Sequence, residues 1–425
     1  MESYFIGLDF GTSGCRAEVI NQNLESCYVS RYDLPASVAS QNKSEQNPLD
    51  WIKYLELLFN DVSQNITTSQ IKAIAIDGTS ATTLLCSGKG EPLTPAFMYN
   101  DSRCAKEAEI IRQFAPNDSI ASTANSSLAK TLHHYNNIQS EKCFAVHQSD
   151  WLTGYLCGQY NISDEHNCLK MGYDVVNKQW PDWINKLGFP VSLLPKVYSS
   201  GRFIKTIDAR LAKKWNLPET ISIHAGTTDS TAAFLATGVN EKGGAVTSLG
   251  STLVLKIMSD RPVFSSQYGV YSHQIGKHWL VGGASNTGGA VLKHYFTSQQ
   301  VEQYSQNLNP DALLGLNYYP LVANGERFPV SDPELKPRLM PRPADEQLFF
   351  QGILEGITDV ECQGYQILQS LTKTKISHVV TSGGGSKNIL WQKMREDRLQ
   401  LSVNRASHSE ASYGAALLAF RGCGP

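Results

Sequence analysis

The chain has 425 residues, enough for two or three cores at roughly 150 residues per domain. A formal charge of −2 gives no field that would mark a nucleic-acid or anionic-membrane partner, and no apolar run is long enough to span a bilayer. Nine scattered cysteines without a CxxC pair read as buried thiols in the cytoplasm or another reducing compartment, which excludes a disulfide scaffold and a zinc ribbon.

Tyr4 to Asp9 reads as a buried strand, followed by strands at Cys15 to Ile20 and Glu25 to Tyr32. Asn47-Pro48 suits a helix cap and first turn. Trp51, Tyr54, Leu55 and Leu58 then repeat at helical spacing. "IKAIAID" (Ile71 to Asp77) is another strand, running into the hydroxyl-rich "DGTSATT". Asp229 opens a small-residue helix after an apolar stretch. This alternation of strands and helices predicts an α/β fold.

The pattern resets near residue 237. Leu249-Gly250-Ser251-Thr252 repeats Phe10-Gly11-Thr12-Ser13 between two apolar strands, with Ser248 standing where the first copy has Asp9. Two similar halves follow from this echo, only one of them carrying the carboxylate. Strands are expected at Tyr268 to His273 and His278 to Val281, a long helix at Asp345 to Gln369, and a strand and glycine turn over Ser377 to Asn388. A last helix is expected at Ala411 to Phe420.

Glycine lets backbone N–H groups approach an anion, and neighbouring hydroxyls add donors. Three turns offer this: Gly11 to Gly14, Gly250 to Thr252 and Gly383 to Asn388. Each alone could be a plain turn. There is no GxxxxGK[ST] sequence, which excludes a P-loop, and no early GxGxxG, which excludes a Rossmann oxidoreductase. Asp9 could organise a magnesium ion or cap a strand end. Asp229 could be a base or an ordinary acid of a first helical turn. Asp77 could cap a turn. His133-His134 lacks metal-ligand spacing.

Taken in order along the chain, "GLDFGTS" (7–13), "NDSR" (100–103), "AGTTDSTAAFLATG" (225–238), "SLGST" (248–252), "GGASNTGG" (282–289), "EGI" (355–357), "SGGGSKN" (382–388) and "SYGAALLA" (412–419) resemble the FGGY carbohydrate kinases, within the actin, hexokinase and heat-shock chaperone superfamily. The resemblance implies two actin-like (ribonuclease H-like) domains with a cleft between them. Residues 1–236 would form the first and 237–425 the second, with the last helix a candidate to pack back on the first.

It further implies ATP and Mg²⁺ as cofactors, a small-molecule sugar as partner, and a monomer or homodimer without nucleic acid or membrane. By the same resemblance Asp229 is the catalytic base, and Asp9 holds Mg²⁺ through water. Gly11, Thr12 and Ser13 lie beside the terminal phosphates, and Gly250, Ser251 and Thr252 form the second phosphate turn. Gly384, Gly385, Asn388 and Trp391 surround the adenosine.

The family's D-xylulose kinases carry a Met-His pair after the strand that ends here in Asp77. This chain has Thr79-Ser80-Ala81-Thr82 instead, in a loop that, with "HQSDWLTGYL" (147–156), resembles a short pentulose kinase branch linked to D-ribulose. Expected sugar contacts are Asp9, Asp77, Ser80, Asp101 and Asp229. For Asp101 the competing reading is a structural pair with Arg103, and Asp164 and His166 read as a loop acid and a surface or supporting residue. The expected reaction is transfer of the ATP γ-phosphate to the terminal C5 hydroxyl of D-ribulose. D-Xylulose, or a non-catalytic sugar or nucleotide sensor, is the alternative.

Overall fold

The computed structural model describes residues 2–138 and 142–424. They group into two compact units, Met1–Ala236 with Glu410–Pro425, and Thr237–Ser409.

The first unit is built on a six-stranded sheet. β1 (Tyr4–Phe10), β2 (Gly14–Asn21) and β3 (Ser26–Asp33) form an antiparallel meander. β4 (Ile71–Gly78) pairs parallel with β1, and β6 (Ser222–Thr228) pairs parallel with β4. β5 (Phe203–Thr206) closes the edge antiparallel to β6. β4 is apolar almost throughout because helices cover both faces of the sheet.

On one side lies the helix Pro48–Asn65, whose Trp51, Leu55, Leu58, Phe59 and Val62 join Ile6, Leu8, Ile74 and Ile76 in one core. Its Asn47 cap accepts from Leu49 N, with Pro48 in the first turn. The other face is covered by the closing helix Ala411–Gly422, packed on β1 and on the helix Asp229–Ala236. That packing is backbone-close. A β-carbon on Gly414 would collide with the Ala232 carbonyl, which fixes a glycine there.

The second unit repeats the plan. β7 (Gly244–Leu249), β8 (Leu253–Ser259), β9 (Tyr271–Ile275) and β10 (His278–Ser285) are antiparallel, in the order β9-β10-β8-β7. β11 (His378–Ser382) and β12 (Val403–Arg405) continue in parallel from β7. The two glycine–hydroxyl turns therefore occupy equivalent places, between the first two strands of each sheet. The strand expected from Tyr268 begins later, because Ser266–Tyr268 is a short 3-10 turn ended by Gly269 at φ 59°.

The sequence reading did not anticipate a second sheet in the first unit. Val38–Ser40, Lys43–Gln46, Ala96–Phe97, Thr83–Ser87 and Cys143–His147 pair in that order, and several are only two to four residues long. The helices Ala105–Arg112 and Ser127–Ile138 share a separate apolar core with this sheet. None of the nine cysteines is in a disulfide; six are buried, while Cys27 and Cys423 are exposed. No helix among the described residues is long and apolar enough to cross a membrane.

Candidate active site

Three carboxylates converge at one end of the first sheet. Asp9 near the end of β1 is in register with Asp77 near the end of β4, and Thr227 pairs with Asp77 from β6. Asp229 follows two residues later, at the start of its helix, where its Oδ1 accepts from Ser230 N at 2.6 Å. Asp9 and Asp229 are half-buried. Asp77 is 0% exposed, and neither of its oxygens accepts from an N–H or hydroxyl among the described residues.

Burial, and then the charges of Asp9 and Asp229, hold Asp77 well above the usual carboxylate range. Burial and the charge of Asp229 push Asp9 up to about 6, with a hydrogen bond from Asp77 and then the Arg16 guanidinium pulling the other way. Arg16 is itself paired with Glu410. Three carboxylates crowded at one strand end suit a divalent cation, whose charge would relieve the repulsion that a proton shared between Asp9 and Asp77 otherwise relieves. The second unit makes the contrast plain. Its equivalent register pair is Ser248 and Ser382, joined hydroxyl to hydroxyl at 3.2 Å.

Asp77, expected to touch the sugar, lies fully buried beneath Asp9 and Asp229. Asp101 makes the pair with Arg103 that the competing reading offered. It is fully buried, its Oδ2 accepts from Ser44 N at 2.7 Å, and Arg103 grips both oxygens. Arg103 in turn binds Glu45 and lies over the Phe97 ring. These contacts hold Asp101 below the usual carboxylate range despite its burial. Asp101 is a clamp.

Beside Asp9, the turn Gly11–Gly14 is closed by Gly11 N donating to Gly14 O at 2.9 Å. Gln46 Nε2 donates to Thr12 O, and Leu34 N to Ser13 O. With those carbonyls taken, the N–H groups of Thr12 and Ser13 have no backbone acceptor among the described residues, and Ser13 is exposed. Such a turn can receive an anion. The echo is built alike. Gly250 N donates to Thr252 O, and Gly289 N and Ala290 N donate to the carbonyls of Gly250 and Ser251. Gly288, at φ 135°, and Gly289 allow this approach, since β-carbons there would strike Thr252 and Gly250 backbone.

A cavity of about 640 Å³ opens beside this second turn. Gly250, Ser251, Gly384, Gly385, Asn388 and Trp391 all line it, whereas Thr252 does not and serves instead to close the turn. Trp391 is a buried wall, its indole N–H held by Thr358 Oγ1, and Asn388 caps the following helix through Trp391 N. A buried Glu361–Arg395 pair, bonded also to Thr247 and Thr381, ties that helix to β7 and β11. The size and the mixture of apolar wall and glycine backbone suit a nucleotide.

The Gly78–Thr82 turn brings up Ser80, which is half-buried while its neighbours Thr79, Ala81 and Thr82 are buried. Sequence reasoning missed the groups behind it. Gln148 Oε1 accepts from both Thr79 N and Thr79 Oγ1. Asp164 is a buried helix cap, bonded to the backbone of His166 and Asn167. His166 is buried against Thr227 on β6. The "HQSDW" and "SDEHN" segments held this signal, but only as polar residues between apolar ones. Cys104, Glu107 and His133 also come together. Arg103 and Lys130 beside that thiol work against a further cation.

Residues 4–236 match the FGGY family of carbohydrate kinases, N-terminal domain, and residues 245–423 its C-terminal domain. A xylulose kinase of Bacillus subtilis is 25% identical over 447 aligned positions, covering 99% of this chain and 88% of the relative. Among solved structures, a xyloylose kinase from Brucella ovis aligns at TM-score 0.88 with 22% identity, over 99% of this chain and 90% of the other. Plasmodium falciparum glycerol kinase with ADP aligns at TM-score 0.85 with 18% identity, over 98% and 89%. The fold is thus the two-domain actin-like α/β architecture. The chain belongs to the FGGY family of carbohydrate kinases, enzymes that transfer phosphate to a sugar hydroxyl.

Proposed function

We propose that this enzyme uses ATP to phosphorylate a ketopentose, D-ribulose, at its terminal C5 hydroxyl. The observation that carries the catalytic part is the convergence of Asp9, Asp77 and Asp229 at one strand end, with Asp229 only half-buried. Asp229 accepts the hydroxyl proton as the new oxygen–phosphorus bond forms and the bond from the γ-phosphorus to the β–γ bridging oxygen breaks, releasing ADP. The N–H groups of Thr12 and Ser13 donate to the oxygens of the group in transfer, and the Ser251 N–H to the phosphates behind it, the Gly250 N–H being held by the Thr252 carbonyl. Asp9 would hold Mg²⁺ through water, and the ion would supply charge neutralisation on the phosphates. Asp77 stays beneath, setting the charge of the pair above it.

Gly384, Gly385, Asn388 and Trp391 form the adenosine wall in this reading. A β-carbon on Gly384 would meet nothing within 4 Å, although the residue lines the cavity. Gly384→Val is therefore expected to fold with little change in melting temperature and to raise the KM for ATP about tenfold by filling ligand space. Steady-state kinetics with a thermal melt check this, and an unchanged KM would remove the loop from the nucleotide site.

The sugar assignment rests on the Thr79–Thr82 turn, whose short side chains suit a ligand made of hydroxyls. D-Xylulose is the second reading, favoured by the printed names of the relatives. ADP release measured across D-ribulose, D-xylulose, L-ribulose and polyols separates them. D-Ribulose should give the highest kcat/KM, and Ser80→Ala should raise its KM about tenfold through loss of one buried hydrogen bond. A preference for D-xylulose would overturn the assignment.

A further inference from the structure

We propose that Lys130 is a positioning residue that sets the sugar-facing turn, and through it the choice among ketopentoses; this rests on the reading of Ser80 as a sugar contact. Lys130 lies on the helix Ser127–Ile138 with none of its surface exposed. Buried ammonium groups are normally paired with a carboxylate. No carboxylate lies within ion-pair distance of Lys130 Nζ among the described residues. Instead Nζ donates to Ala81 O at 2.8 Å and to Met98 O at 2.7 Å. It therefore joins the turn beside Ser80 to the segment that leads into Asp101.

The turn needs such a tie. Ala81 is held at φ 63°, in the left-handed region that non-glycine residues rarely occupy unless their surroundings impose it. The remaining pegs come from Gln148. Its side-chain oxygen accepts from Thr79 N at 3.0 Å, and its backbone N donates to Thr82 O at 3.1 Å. Thr82 N closes the turn on Thr79 O. The residues around Ser80 are thus pinned, and Lys130 supplies the shorter of two side-chain bonds to the carbonyl directly after it, the Thr83 hydroxyl donating to the same oxygen at 3.4 Å. Ketopentose epimers differ in the direction of single hydroxyls, so a turn displaced by about an ångström loses its discrimination.

The test compares Lys130→Met, which keeps length without donors, with Ser80→Ala, using D-ribulose, D-xylulose and ATP as probes. Lys130→Met should raise the KM for D-ribulose about tenfold, leave the KM for ATP unchanged and narrow the D-ribulose to D-xylulose ratio of kcat/KM about tenfold. A lowered melting temperature with sugar KM and ratio unchanged would overturn the proposal, since that is what a purely structural lysine does. Should Lys130→Met fail to fold, Ala81→Gly relaxes the left-handed backbone of the same turn at the cost of one buried methyl. An unchanged sugar KM and ratio in that variant would also overturn it. Unchanged sugar kinetics in Ser80→Ala would instead sink the reading of the turn as the sugar contact, whatever Lys130 does.

Discussion

Replacing Asp229 with Asn is expected to lower kcat for sugar phosphorylation about 10³-fold while ATP binding stays within about threefold of the parent. Asn fills the same space and keeps an oxygen for the bond from Ser230 N. It cannot take a proton from a hydroxyl. The change also removes one charge facing Asp9 and Asp77, so the protein should be no less stable, which separates lost chemistry from lost fold. Quench-flow or coupled ADP release, with nucleotide affinity read by calorimetry, checks both halves. Near-parental turnover would remove Asp229 from its role.

The second large effect concerns stability. Asp77 and Asp9 both carry raised affinities for protons in the folded chain, so folding takes up protons that the unfolded chain lacks. Their contribution is fully present below about pH 4, where unfolded carboxylates are also protonated, and is lost as pH rises through the folded values. For Asp9, raised to about 6, the loss amounts to about 3 kcal/mol by pH 8. Asp77→Asn removes the sealed acid and the repulsion it exerts. Its melting temperature should exceed the parent's at pH 8 by several degrees and converge with it near pH 4. Mg²⁺ should raise the parent more than the variant at pH 8. Parallel pH curves for the two proteins would show that the cluster carries no such strain.

The strand and turn plan of the molecule was legible in the sequence because its signals are local. Apolar runs such as "IKAIAID" give strands, Asn47-Pro48 gives a helix start, and the glycine–hydroxyl echo at residues 10–13 and 249–252 gives equivalent turns. Asp9 and Asp229 lie 220 positions apart, and their meeting follows only from the parallel order of β1, β4 and β6. What escaped notice depends on burial and on partners distant along the chain. Asp101 looked like a ligand group because nothing local announces that Ser44 would share it with Arg103. Asp77 looked open until the sheet sealed it. Lys130 gave no signal at all, since a lone lysine in a helix is ordinarily solvated and only its bonds to Ala81 and Met98 give it a task. The short strands at 83–87 and 96–97 fall below the length at which alternation can be read.

The central claim is that these residues transfer the ATP γ-phosphate to C5 of D-ribulose, and product analysis tests it most directly. Enzyme, ATP, Mg²⁺ and D-ribulose are incubated to completion, and the phosphorus–carbon couplings of the product are read by NMR. The account predicts one ADP per sugar and coupling to C5 and C4 alone, with D-xylulose turned over at least about tenfold less efficiently. Phosphate on another carbon, or ATP turnover that no ketopentose accelerates, would contradict it.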